Sequence, residues 1–134
     1  WINHVRTEAN AADRFDVDWV DLGAIGWAGR PNSFERRSQF KDYIQSLWSR
    51  GAEPDLVLVD GHFRVACFLY SLAKAKPGCT ILFDDYTNRP KYHLVEEFIK
   101  PTGFCGRQGH FRVPETLDRE AILAEADRFT YVMD

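Results

Sequence analysis

The sequence has no closely spaced cysteine pair, no apolar run long enough to cross a bilayer, a single methionine and no excess of basic charge. Cys67, Cys79 and Cys105 stand far apart in apolar surroundings. That spacing points to reduced, mostly buried thiols in a cytosolic protein and away from a disulfide or zinc framework. A membrane span needs about 18 to 20 consecutive apolar residues, and none approaches that length. The opening WINHVRTEANAADRF also lacks the apolar stretch of a secretory segment. Seventeen basic residues are scattered among 20 acidic ones, for a net charge of −3, so no footprint for a nucleic-acid backbone is visible. Gly23, Gly26 and Gly29 do not form GxGxxG after a first strand, and no GxxxxGK motif occurs, so nothing points to a phosphate cradle.

What is present suits one compact domain over residues 1–134. The chain is 45% hydrophobic, and four Trp, five Tyr and ten Phe supply a core without cross-links. Residues 1–12 read as a short helix, and the alternation of Phe15, Val17, Trp19 and Val20 with Asp16, Asp18 and Asp21 predicts a strand over 15–22. A glycine-rich loop follows to Ser33. Phe40, Tyr43, Ile44, Leu47 and Trp48 then recur at helical spacing up to Gly51. Asp55–Asp60, DLVLVD, reads as a strand buried on both faces. Val65, Phe68, Leu69, Leu72 and Ala73 give a helix closed by Pro77-Gly78, and Cys79–Phe83 a second buried strand. Strand, helix, strand implies a right-handed parallel crossover. A helix from about Pro90, a strand within 104–113, a helix over 117–126 and a last strand over 129–133 complete the pattern. The fold class is α/β, a Rossmann-like, mostly parallel sheet with helices on both faces. Ligands of such sheets bind outside the carboxyl ends of the strands.

Those ends carry Asp21, Asp60 and the pair Asp84-Asp85. Neighbouring strands lie about 4.8 Å apart, so Asp60 and Asp84 would crowd one rim. Relief comes from a raised pKa, from a nearby His or Arg, or from a divalent cation; His62, Arg64 and His93 are all close in sequence. Plainer roles stand beside these. Asp60-Gly61 is also a turn pair, Asp85 could cap a turn, His62 could be a solvated residue or a general base, and Arg64 could pair with Asp60 structurally. Trp19, Trp27 and Trp48 read as core or loop anchors more readily than as a stacking platform.

The stretch PDLVLVDGHFRVACFLYSLAKAKPGCTILFDDYTNRPKYHLVEEF resembles the fourth strand through fifth helix of class I S-adenosylmethionine-dependent methyltransferases, and most of all bacterial methyltransferase-like proteins with a VDG…ILFDDY pattern. VDWVDLG resembles the family's third strand, whose end approaches the cofactor's adenine. The resemblance implies S-adenosylmethionine as cofactor, with Asp21, Leu22 and Asp60 at its site, and a small molecule or sugar as acceptor. In the cation-dependent branch the matching positions, Asp60, Asp84 and Asp85, hold a divalent ion such as magnesium, and a basic group near His62 or His93, with Arg64, serves the catalytic step.

The family's first two strands, with the glycine-rich cofactor loop, have no counterpart here. In the family they lie beside the strand that DLVLVD matches, so their absence predicts an exposed edge, open to a homodimer. Trp1 resembles the middle of the second helix, so the favoured expectation is that the family's N-terminal part is missing from this sequence. A Rossmann-like module without a cofactor site is the competing reading. A signalling receiver domain fits worse, because its acidic pair precedes the phosphoacceptor strand whereas here it follows DLVLVD.

Overall fold

The structure, a computed structural model, describes residues 16–134. The helix expected over 1–12 lies outside that range. Helix α1 is Phe40–Ser49, buries Phe40 and Ile44, and stops before Gly51, whose φ of 69° supplies the left-handed step that ends a helix. Strand β1, Leu56–Val59, and strand β2, Thr80–Phe83, pair in parallel with Val59 beside Phe83. Helix α2, Arg64–Lys74, makes the expected crossover between them. A 3-10 helix over Pro90–Glu97 leads to strands β3, Gly103–Cys105, and β4, Gln108–Arg112, and helix α3, Arg119–Arg128, follows. Asp118 begins α3 by accepting the Ala121 N–H at 3.0 Å.

The sheet order is β1-β2-β4-β3, with one parallel pair followed by two antiparallel ones, so the described sheet is mixed where the sequence predicts a mostly parallel one. The single strand expected within 104–113 is thus a hairpin. It turns at Gly106, whose φ of 57° suits glycine, and it lays β4 antiparallel on β2. Apolar burial holds the layers together. Phe68 on α2 stacks on Phe83 with centroids 5.1 Å apart and meets Phe111 edge-on at 4.7 Å, while Tyr92 covers Phe83 from the other end at 4.9 Å. Ile122 and Ala126 bring α3 into the same core. A second cluster, Phe40, Ile44, Phe63 and Ala66, ties α1 to the start of α2.

Three further expectations are corrected. Residues 16–22 form no strand: Asp16 and Asp18 pair with Arg50, and Leu22 packs on the second cluster, so side-chain contacts replace a ladder. Residues 129–133 form no strand either, because Phe129 and Met133 fold back onto the second cluster and the Tyr131 ring lies 6.3 Å from that of Phe40. Strand β1 is not buried on both faces. Val57 and Val59 are buried, but Leu56 and Leu58 are 58% and 57% exposed, and β1 has no neighbour on its outer edge among the described strands. Of the cysteines, Cys79 is buried and Cys67 partly so, while Cys105 on the hairpin is exposed. Among the described residues no helix is long and apolar enough to cross a membrane.

Candidate functional site

The register of β1 on β2 brings their ends level, so Asp60 and Asp84 emerge side by side, and the Asp84 N–H still donates to the Val59 carbonyl at 3.0 Å. The two carboxyls are close enough for the Asp84 charge to act on Asp60. Partial desolvation of the half-exposed side chain, and then the neighbouring Asp84 charge, hold the Asp60 carboxyl above the ordinary aspartate range, against the pull of Arg64. Asp85 takes the opposite course. Its backbone is left-handed, with a φ of 57°. Its carboxylate accepts from Arg64 Nη1 at 2.8 Å and forms ion pairs with Arg89 Nη2 at 2.8 Å and Arg107 Nε at 3.1 Å. Burial opposes its ionisation, but the Arg64 hydrogen bond and the charges of Arg64, Arg89 and Arg107 outweigh burial and lower its pKa.

Arg64 is the hub. It opens α2 after Phe63, which adopts left-handed φ and ψ and offers no side-chain cap. Buried there, it donates Nε to the Gly61 carbonyl at 2.8 Å, Nη1 to the Asp84 carbonyl at 3.1 Å and Nη2 to Asp60 Oδ1 at 3.2 Å. The missing cap comes from far away, as the Arg64 backbone N–H donates to Asp134 Oδ1 at 2.9 Å. His62 closes the rim. Its Nδ1 lies 2.6 Å from the Asp134 main-chain oxygen and its Nε2 2.9 Å from the Ala28 carbonyl oxygen, so the ring clamps the 24–31 loop and the last residue together.

These residues border an open cavity of about 420 Å³, a volume suited to one small-molecule ligand. Of the residues singled out in the sequence, Asp60, Asp84, Asp85, His62 and Arg64 line it. His93 does not; its Nε2 meets the Tyr86 carbonyl oxygen at 3.0 Å and its ring rests on Tyr86. Asp21 and Leu22 also lie outside it. Asp21 accepts the Gly23 N–H at 3.0 Å and faces Arg36 at 3.5 Å, and Leu22 is in the second core cluster. Sequence reasoning missed the lining residues Trp27, Arg30, Asn88, Arg89, Arg107 and Asp134. For Arg89 a signal existed, since it stands four residues after Asp85.

The donor set does not fit a divalent cation held by all three aspartates. Asp85 is spent on three guanidiniums, which repel a further cation. Among the described residues no group of three or more His, Cys, Asp or Glu side chains is arranged to hold a metal. Nor is a cysteine nucleophile at hand. Burial pushes the Cys67 thiol up to about 12, which keeps it protonated and inert.

No protein-family model matches the chain, and no curated protein is significantly similar to it. Among solved structures it is similar to a methyltransferase-like protein from Silicibacter pomeroyi DSS-3, with 32% sequence identity and a TM-score of 0.75. The match covers 92% of this chain and 69% of that one. It bears out the α/β, Rossmann-like architecture built above from β1, α2 and β2. On that identity and coverage, the chain belongs to the methyltransferase-like proteins.

Proposed function

We propose that the chain serves S-adenosylmethionine-dependent methyl transfer to a hydroxyl of a small molecule, with Asp60 as the base. The observation that carries the reading is the Asp60–Asp84 pair at the ends of two adjacent parallel strands, opening into a ligand-sized cavity. An aspartate whose pKa is raised by burial and a like charge is a better proton acceptor than a solvated one. Arg64 Nη2 holds Asp60 Oδ1, and the half-exposed side chain keeps its other oxygen for an acceptor hydroxyl. The hydroxyl proton passes to Asp60 as the acceptor oxygen forms its bond to carbon. S-adenosylmethionine, when bound, would supply the methyl group from its sulfonium, the S–C bond breaking as the neutral thioether leaves, which needs no metal. Of the residues expected to hold that cofactor, Asp60 alone lines the cavity, so the described residues account for the acceptor side and the base. His62 serves as a clamp, with both ring nitrogens engaged.

The test is calorimetric titration of the chain with S-adenosylhomocysteine, with and without magnesium, beside a methyl-transfer assay of Asp60→Asn. Micromolar binding that magnesium leaves unchanged, and loss of transfer in the variant, are expected. Absence of binding overturns the reading in favour of a non-catalytic module. The outer edge of β1, which has no strand neighbour among the described residues and leaves Leu56 and Leu58 exposed, favours that second reading, in which the edge pairs with another chain, a second copy included.

A further inference from the structure

The donors left over in the cavity point to the class of acceptor, an inference that rests on the acceptor site proposed above. The carboxylates each have a protein partner, and only the second oxygen of Asp60 is kept for the acceptor hydroxyl. Asp85 is surrounded by Arg64, Arg89 and Arg107, Asp60 Oδ1 holds Arg64, Asp84 Oδ2 lies 3.4 Å from Arg107 Nη2, and Asp134 Oδ1 accepts the Arg64 N–H. The guanidiniums retain capacity. Arg107 uses Nε and Nη2 on Asp85 and Asp84, and its Nη1 has no partner among the described residues; the side chain is 64% exposed. Arg30 lines the same cavity and forms no ion pair among the described residues. Trp27, 88% exposed, also lines the cavity, three residues before Arg30 on the loop that His62 clamps through the Ala28 carbonyl.

Unpaired guanidinium N–H groups in a fixed fork match the oxygens of a carboxylate or a phosphate, and an exposed indole offers a flat apolar face. A neutral hydroxylated acceptor would leave Arg30 and Arg107 to water and gain little from them. We propose that the acceptor carries an oxyanion, a carboxylate or phosphate, bound by Arg30 and Arg107, with its planar body against Trp27.

The test uses the full chain without any methyl donor and measures binding of benzoate, phenyl phosphate and the neutral isostere benzamide by calorimetry. At least one anion should bind about tenfold or more tightly than benzamide, and the tighter of the two distinguishes carboxylate from phosphate. Arg30→Gln and Arg107→Gln should each weaken anion binding by about tenfold and leave benzamide unaffected, while Arg128→Gln, on the outer side of α3, should change nothing. Arg30 touches no carboxylate, so its variant decides the matter if Arg107→Gln fails to fold. Equal binding of benzoate, phenyl phosphate and benzamide, no anion binding, or wild-type affinity in Arg30→Gln overturns the proposal. Anion binding without S-adenosylhomocysteine binding overturns methyl transfer and leaves the oxyanion site standing; the converse removes the oxyanion site alone.

Discussion

Arg64 and Asp85 form the most buried ion pair among the described residues, with 2.8 Å between Nη1 and Oδ2 and side chains 11% and 7% exposed. The pair joins the start of α2 to the end of β2, so it sets the height of the cavity floor. Neither partner is solvated enough to stand alone.

Asp85→Asn tests that dependence. Asparagine tolerates the left-handed backbone and keeps the side-chain volume, so the variant removes charge and little else. Leaving Arg64 buried beside a neutral partner should cost about 3 kcal/mol. Urea denaturation at neutral pH measures it, and a loss within experimental error would mean that the exposed Arg89 and Arg107 carry the interaction instead.

The two aspartates flanking Arg64 should show opposite pH dependence. Asp85 has a lowered pKa, so its contribution is fully present above the unfolded value near 3.8 and is lost as pH falls through the lower folded value. Asp60 has a raised pKa, so its charge is a cost at neutral pH that disappears as pH falls through the folded value. Asp60→Asn should therefore be more stable than the parent at neutral pH, with the difference shrinking in mild acid. Asp85→Asn should show a deficit that closes only below pH 3.8. Thermal melts of the three proteins across pH decide between this pattern and parallel curves.

Gly109→Ala probes the hairpin's seat on the sheet. A Cβ at Gly109 would lie 2.9 Å from the Tyr86 ring and 3.0 Å from Phe111 Cε2, both buried side chains. The ring must shift, at a cost of about 1 to 3 kcal/mol. A melting temperature equal to the parent's would show that Tyr86 relaxes freely.

The parts of the fold legible in the sequence are those written in local periodicity. Helical spacing gave α1 and α2 and short uninterrupted apolar runs gave β1 and β2, all close to their observed bounds, and with them the juxtaposition of Asp60 and Asp84. The direction of Asp85 was hidden, because a left-handed φ at a non-glycine residue has no reliable signature. Arg107 was hidden for another reason. It follows the Gly106 turn of a hairpin read as one strand, and only the antiparallel docking of β4 on β2 returns it to the rim. The alternation of Val17, Trp19, Phe129 and Tyr131 misled because period-two apolarity also arises in coil that packs side chains without a strand partner.

The clamp at Asp134 bears on the order in which the molecule assembles. The charge cluster draws every member from the stretch between Asp60 and Arg107, whereas the rim closes through contacts spanning 34 residues, His62 to Ala28, and 70 residues, Arg64 to Asp134. Long-range closures form late because their loop entropy is met only when the rest is in place. The floor of the cavity is therefore a product of early folding and its rim of late folding. Removing the Asp134 carboxylate should hasten unfolding while leaving the refolding rate unchanged, so the mouth of the site is its kinetically weakest part.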